Sequence, residues 1–500
     1  MSVSRIALLA LLALAIAVPQ AALGQSSLPA DADAWIITGH ETCNEERLVV
    51  DRNIVVSAGA VLDLQGCALA MDSPAYNDTY FASKDEGLTL HIERGGLLRL
   101  QALPGRPASI ERADSRYGYT IKSAGDLESI GLPETPNRIA GLEGAHEGQL
   151  ALGGFQMRGG NATIRYTRFE ENFGPGLFML SGSRLNGDHV DFVSWGGLMV
   201  TRAAQVTLSN WTAHALNSPV SISLTPTAFS DCRISGERLG LFIAQSNLTI
   251  ERCTVASNGT ALSMTDANVS LASAEVTYRA TGILDQHKSK GPAADNHLRI
   301  ADTTILGSGA NATSAIQANQ GTVEVRNSRL SSAKSPVINV SLVRLTVSNS
   351  RLGGPSGIQA TDPYSVDVQG TIGPSPLVTV WRNTVVKVRD SAGSPLAGVE
   401  LGLREARGMT DADGQAVLHW RFLDAEAVTS LDFGQAVTLS VKAPDGSTAE
   451  KDVQAGSAYV EFALTSMPWW KSPRALVAAG VGVAAAVGLF AWSRRGRADP

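Results

Sequence analysis

The chain has 500 residues, a formal net charge of −6 and 49 glycines against an aromatic share of 6%. That length exceeds one ordinary hydrophobic core, and glycine at this level without a three-residue period indicates many turns and excludes a collagen-like fibre. Outside the extreme C-terminus there are no Lys/Arg runs, so the electrostatic footprint of a DNA or RNA binder is missing and no nucleic-acid partner is expected.

At the N-terminus Arg5 precedes an apolar run from Ile6 to Val18, followed by Pro19 and the small-residue exit Ala22-Leu23-Gly24. This reads as a secretory signal over residues 1–24. Arg47 to Met71 and Leu88 to Leu100 then alternate apolar and polar residues between glycines, as strands do. Residues 102–152 are rich in Pro and Gly and are expected to hold longer excursions.

The middle of the chain repeats. An apolar anchor, a small or polar residue three positions later and a second apolar residue two beyond that recur at Ile164/Thr167/Phe169, Leu185/Asp188/Val190, Phe229/Cys232/Ile234, Ile250/Cys253/Val255, Leu271/Ala274/Val276, Ile300/Thr303/Ile305, Val325/Ser328/Leu330 and Val347/Ser350/Leu352. A weak copy at Leu208/Trp211/Ala213 puts a bulky indole where the others carry small groups; either that coil is bulged or its alignment is off by one. Steps of 21 to 29 residues between anchors, with short β-rich bursts, predict a solenoid in which each coil is one unit.

From Ser375 to Thr465 the period stops, and strands and turns alternate quickly through Val385–Val399 and Thr410–Ala416. Ala475 to Trp492 is then free of charge, preceded by Trp469, Trp470 and Lys471 and followed by Arg494, Arg495 and Arg497. This length just reaches across a bilayer core, with aromatic residues at one interface and basic ones inside. A removable sortase-like tail is the alternative. Gly480, Ala484 and Gly488 would line one face of such a helix.

Ser230-Asp231-Cys232-Arg233-Ile234 and Glu251-Arg252-Cys253-Thr254-Val255, with Arg326–Leu330 and Asn349–Leu352, resemble the repeats of right-handed parallel β-helices of the pectin-lyase-like type. In that family the third position after the anchor points inward at a turn and stacks on its counterpart one coil away. The segment after residue 375 resembles the carboxypeptidase-regulatory-like β-sandwiches, through its D-x-x-G-x-P-L turn at Asp390–Leu396 and T-D-x-x-G-x-A turn at Thr410–Ala416. By that resemblance it is a non-catalytic spacer or interaction module.

The expected fold is therefore all-β: a right-handed parallel β-helix solenoid, a small β-sandwich and one transmembrane α-helix. The expected divisions are a signal peptide over 1–24, the β-helix over 25–374, the β-sandwich over 375–466, a linker over 467–474, the span over 475–492 and a basic cytoplasmic tail over 493–500. This is a single-pass type I arrangement, with the membrane as one partner and polysaccharide or other surface proteins as further partners.

Cys232 and Cys253 are 21 residues apart and take the same place in successive coils, within reach of a disulfide; stacked free thiols are the alternative. Cys43 and Cys67 would likewise clip the first coil. Four cysteines without C-x-x-C spacing argue against zinc, and no metal or other cofactor is expected. Asn77, Asn161, Asn210, Asn247, Asn258, Asn268, Asn311 and Asn339 each begin an N-x-[ST] triplet, read either as glycosylation acceptors or as turn residues.

The best catalytic candidate is Asp188-His189-Val190-Asp191, since two carboxylates around a histidine suit acid-base work on a sugar chain. Glu170 and Glu171 fall about one coil earlier, and Arg165, Arg168 and Arg184 are near in sequence and suited to uronate carboxylates. Aromatic residues concentrate here, among them Tyr166, Phe169, Phe173, Phe178, Phe192, Trp195 and Trp211. Tyr166, Arg168, Phe192 and Trp195 form a candidate sugar-binding ledge, with core packing as the competing role for the aromatics. The residue sets that β-helix lyases and hydrolases carry are not intact. The reading is a cell-surface scaffold for adhesion or polysaccharide binding, with an anchored polysaccharide lyase or glycoside hydrolase as the alternative. Asp411-Ala412-Asp413-Gly414 reads as a β-turn, because a calcium loop needs further ligands that are missing.

Overall fold

The computed structural model describes residues 34–44, 46–72, 88–113, 118–142, 154–170, 175–193, 196–215, 219–286 and 296–464. Short strands pair in parallel with the coil before and the coil after, so that Leu208 lies beside Phe229, Phe229 beside Ile250 and Ile250 beside Leu271. This is a parallel β-solenoid. Alternate residues of each strand point inward, and the columns they form make one continuous core from Trp35 to the C-terminal strands.

One corner of the coil is made by a single residue in the left-handed conformation. His189, Asn210, Asp231, Arg252, Ser273, Asp302, Asn327 and Asn349 take φ between 48° and 54° in successive coils. Asn and Asp tolerate this region better than other non-glycine residues, which explains their share of the column. The bend places two consecutive side chains outward before the alternation resumes, as at Asp188 and His189.

The next residue in each coil points inward. Thr303, Ser328 and Ser350 are almost fully buried, and each hydroxyl donates to the carbonyl two residues back, at 2.7, 2.6 and 2.8 Å. Each also accepts the backbone N–H of its counterpart one coil earlier: Ala274 to Thr303, Thr303 to Ser328 and Ser328 to Ser350. Small polar residues at this repeat position therefore satisfy corner amides that no strand partner reaches.

Two expectations about the register are corrected. Ile164 pairs with Gly187 and Thr167 with Val190, so the repeat of this coil is Gly187/Val190/Phe192 and not Leu185/Asp188/Val190. Asp188 consequently faces outward. Trp211, suspected of misalignment, is in register with Cys232 and fills the core, although its indole nitrogen finds no partner among the described residues.

Both expected disulfides are present. Cys232 and Cys253 are stacked at the corner with Cα atoms 4.4 Å apart, and Cys43 and Cys67 join the first coils at 5.9 Å.

The repeat ends in a change of pairing. The twelve-residue strand Val378–Arg389 runs parallel to Ile358–Thr361 of the last coil, then antiparallel to Gln415–Ala425 and parallel to Tyr459–Ala463. A separate four-stranded antiparallel sheet, built from Glu400–Leu403, Ala406–Met409, Ala436–Lys442 and Thr448–Gln454, completes this C-terminal unit. Its core is centred on Leu401, Leu403, Leu418, Trp420 and Leu439. At the junction Asp362, itself left-handed at φ 46°, accepts from the backbone and side-chain amides of Asn383 and lies 3.5 Å from Arg382.

Asp411 accepts the backbone N–H groups of Asp413 and Gln415, and Gly414 is left-handed at φ 71°, so this segment is a turn. Among the described residues no helix is long and apolar enough to cross a membrane; the expected signal and the expected span at 475–492 lie outside them.

Candidate functional site

The corner formed by Asn161–Glu170, Arg184–Val193 and Gln205–Ala215 gathers most of the candidate residues. Asp188 and Asp191 project outward on either side of the bend at His189. The Asp188 carboxylate accepts from His189 Nδ1 at 2.9 Å, Ser209 Oγ at 2.8 Å and Asn210 Nδ2 at 2.8 Å. Partial burial opposes its ionisation, but the hydrogen bonds from Asn210, Ser209 and His189 outweigh it and hold the carboxyl below its usual range. Asp191 accepts from Thr212 Oγ1 at 2.6 Å and lies 3.8 Å from Arg168 Nε.

Charge alternates up this flank. Arg168 also approaches Glu170 at 3.8 Å, Glu170 is bonded to Arg138, and Arg138 reaches Glu111 at 3.4 Å. These are outward columns one coil apart, so the ladder follows from parallel register. Tyr166 stacks on His189, with ring centroids 4.5 Å apart and 24° between planes. The corner thus offers a rigid aromatic face, an arginine and two carboxyl groups.

The expected ledge is smaller than the sequence suggested. Phe192 is fully buried and stacks at 5.0 Å on Phe169, while Trp211 packs against Phe192 and Phe229. These rings belong to the core because they occupy inward positions of the corrected register. Phe178 is buried as well. Trp195, Phe173 and Glu171 lie outside the described residues.

The asparagines of seven expected acceptors fall in described segments, and Asn77 lies outside them. Asn161, Asn210, Asn247, Asn258, Asn268 and Asn311 are exposed and Asn339 is half-buried. Among the described residues no group of three or more His, Cys, Asp or Glu side chains is placed to hold a metal ion.

Sequence reasoning missed Asp285. It takes an inward position beside Met264 and Ala318, where neighbouring coils carry apolar groups, and is 2% exposed. Its Oδ1 has no hydrogen-bond partner among the described residues, and burial, with the Asp266 charge adding, pushes the carboxyl up to about 7. The segment Ile283-Leu284-Asp285-Gln286 aligns with Ile316-Gln317-Ala318-Asn319, so an acid in an apolar slot was visible once the register was known.

Residues 151–290 match the family model of the right handed beta helix region. The described coils on either side of that stretch continue the same β-helix stacking. No curated protein shows a significant sequence match. Among solved structures, the β-helix chain is similar to the A-module of mannuronan C-5 epimerase AlgE6 from Azotobacter vinelandii, at 11% identity over 63% of this chain and 89% of that one, with a TM-score of 0.31. It is also similar to a mutant tailspike protein of E. coli bacteriophage HK620 in complex with a hexasaccharide, at 10% identity over 83% and 85% of the two chains, with a TM-score of 0.26. Likenesses this distant say nothing about what this chain acts on.

Proposed function

We propose that this chain is a membrane-anchored cell-surface β-helix, raised on a carboxypeptidase-regulatory-like β-sandwich, that serves as a non-catalytic scaffold for adhesion or polysaccharide binding. The observation that carries the reading is the state of Asp188. A glycosidase or lyase acid must hold a proton near neutral pH, usually through a raised pKa. Three donors spend the lone pairs of Asp188 and keep it ionised, while Asp191 is tied to Thr212 and Arg168. Such a corner suits recognition: Tyr166 supplies a flat apolar face, and Arg168 a cation for an acidic sugar.

The alternative, an anchored polysaccharide lyase or glycoside hydrolase, draws support from one observation. Asp188, His189 and Asp191 project outward together. The test is to incubate the purified full chain with acidic and neutral polysaccharides, with and without calcium, and follow their length by size-exclusion chromatography. Retained chain length supports the scaffold. Shortening that disappears in Asp188→Ala or Asp191→Ala establishes the enzyme and overturns it.

A further inference from the structure

Away from the corner, the rod turns a different surface outward. In Ile316-Gln317-Ala318-Asn319, Ile338-Asn339-Val340-Ser341 and Ile358-Gln359-Ala360-Thr361 the apolar residues point inward and the polar ones outward. Register stacks Gln317, Asn339 and Gln359 in one column and Asn319, Ser341 and Thr361 in the next. Gln317, Asn319, Asn339 and Ser341 line a cleft of about 420 Å³ together with the segment Leu284-Asp285-Gln286.

This face differs chemically from the rest of the flank. At several other outward positions acidic and basic side chains pair, as in Arg99–Glu128, Arg168–Asp191 and Arg252–Asp231. Here the amides form no side-chain hydrogen bonds with any described residue. Among the described lining residues there is no Lys or Arg, and the one acid is almost wholly buried.

We propose that this amide-lined cleft is a binding subsite for a neutral, hydroxyl-rich glycan lying along the rod axis. Each amide offers donors and an acceptor, as a sugar hydroxyl requires, and the offer repeats every coil at about 4.8 Å. A uronate or phosphate entering the same cleft would lose hydration with no cation among the described lining residues to compensate it. The inference rests on the reading of the rod as a polysaccharide-binding scaffold, but it uses another face than Arg168 and another class of sugar. It also requires Asn339 to carry no glycan, because its amide forms part of the wall.

The test titrates the purified full chain with neutral hexasaccharides of the gluco, manno and galacto series and with oligogalacturonate, by isothermal titration calorimetry. The expected result is binding of a neutral hexasaccharide that weakens at least tenfold in Gln317→Ala and in Asn319→Ala, with unchanged Tm, and that survives Arg168→Ala. Neutral-glycan binding indifferent to Gln317→Ala and Asn319→Ala overturns the placement and leaves the scaffold reading standing. Binding of oligogalacturonate alone overturns the neutral class. Absence of binding to every sugar overturns this inference together with the polysaccharide reading beneath it.

Discussion

The backbone N–H of Ser328 donates to the hydroxyl of Ser350, 3.1 Å away in the next coil, and that hydroxyl donates in turn to the carbonyl of Ser348. A buried corner is thereby satisfied by one side chain. Ser350→Ala adds no bulk and removes both bonds, leaving a buried amide without a partner. The expected cost is about 1–3 kcal/mol. Because a solenoid unfolds by neighbouring coils, hydrogen exchange should report faster opening at Ser328 and little change near Leu98.

Phe192 and Tyr166 should behave oppositely. Phe192 is enclosed among Phe169 and Trp211, so Phe192→Ala should destabilise by about 3–5 kcal/mol through the cavity it leaves. Tyr166 is outward at the bend, and Tyr166→Ala should leave the denaturation midpoint nearly unchanged while weakening any glycan bound at that corner. A midpoint shift in Tyr166→Ala as large as that of Phe192→Ala would return the ring to the core.

Asp285 makes stability depend on pH. Its folded-state pKa is raised to about 7 by burial and the Asp266 charge, so the folded chain prefers the neutral acid. Stability from this group is full below the ordinary carboxylate range and is lost as pH rises from about 4 to about 7, by about 4 kcal/mol at about 1.4 kcal/mol per pKa unit. Asp285→Asn should be more stable than the parent at pH 8 and close to it at pH 4. Denaturant midpoints for both proteins at the two pH values check the sign.

The Cys232–Cys253 disulfide closes a loop of 21 residues' separation, for which chain entropy gives a stabilisation of about 3 kcal/mol. Reduction, or Cys253→Ala, should lower the denaturation midpoint accordingly. Peptide mapping without reductant should recover residues 232 and 253 in one linked fragment.

The proposed anchor is open to a direct check. A chain ending at Thr465 should appear in the medium, whereas the full chain should sediment with membranes and resist carbonate extraction. Sedimentation of both would place the membrane contact elsewhere.

Much of this protein was legible in its sequence, because a solenoid writes its geometry as a period. The 21-residue spacing located the coils, small polar residues such as Thr303 and Ser328 marked the corner, and Cys232 and Cys253 came together by spacing alone. The local slip of two residues at Leu185 was invisible, because Leu185 and Gly187 are both inward and the pattern cannot choose between inward positions of one strand. That slip reversed the reading of Asp188, and the corrected frame put Phe192 in the core. Asp285 and the amide columns needed the tertiary structure as well. Which side chains share a face is a property of residues 20 to 33 apart brought side by side by parallel pairing, and whether their hydrogen bonds are spent on one another is decided only by that contact. The sequence by itself determined the repeating unit; the stacking register decided which of its polar groups remain free.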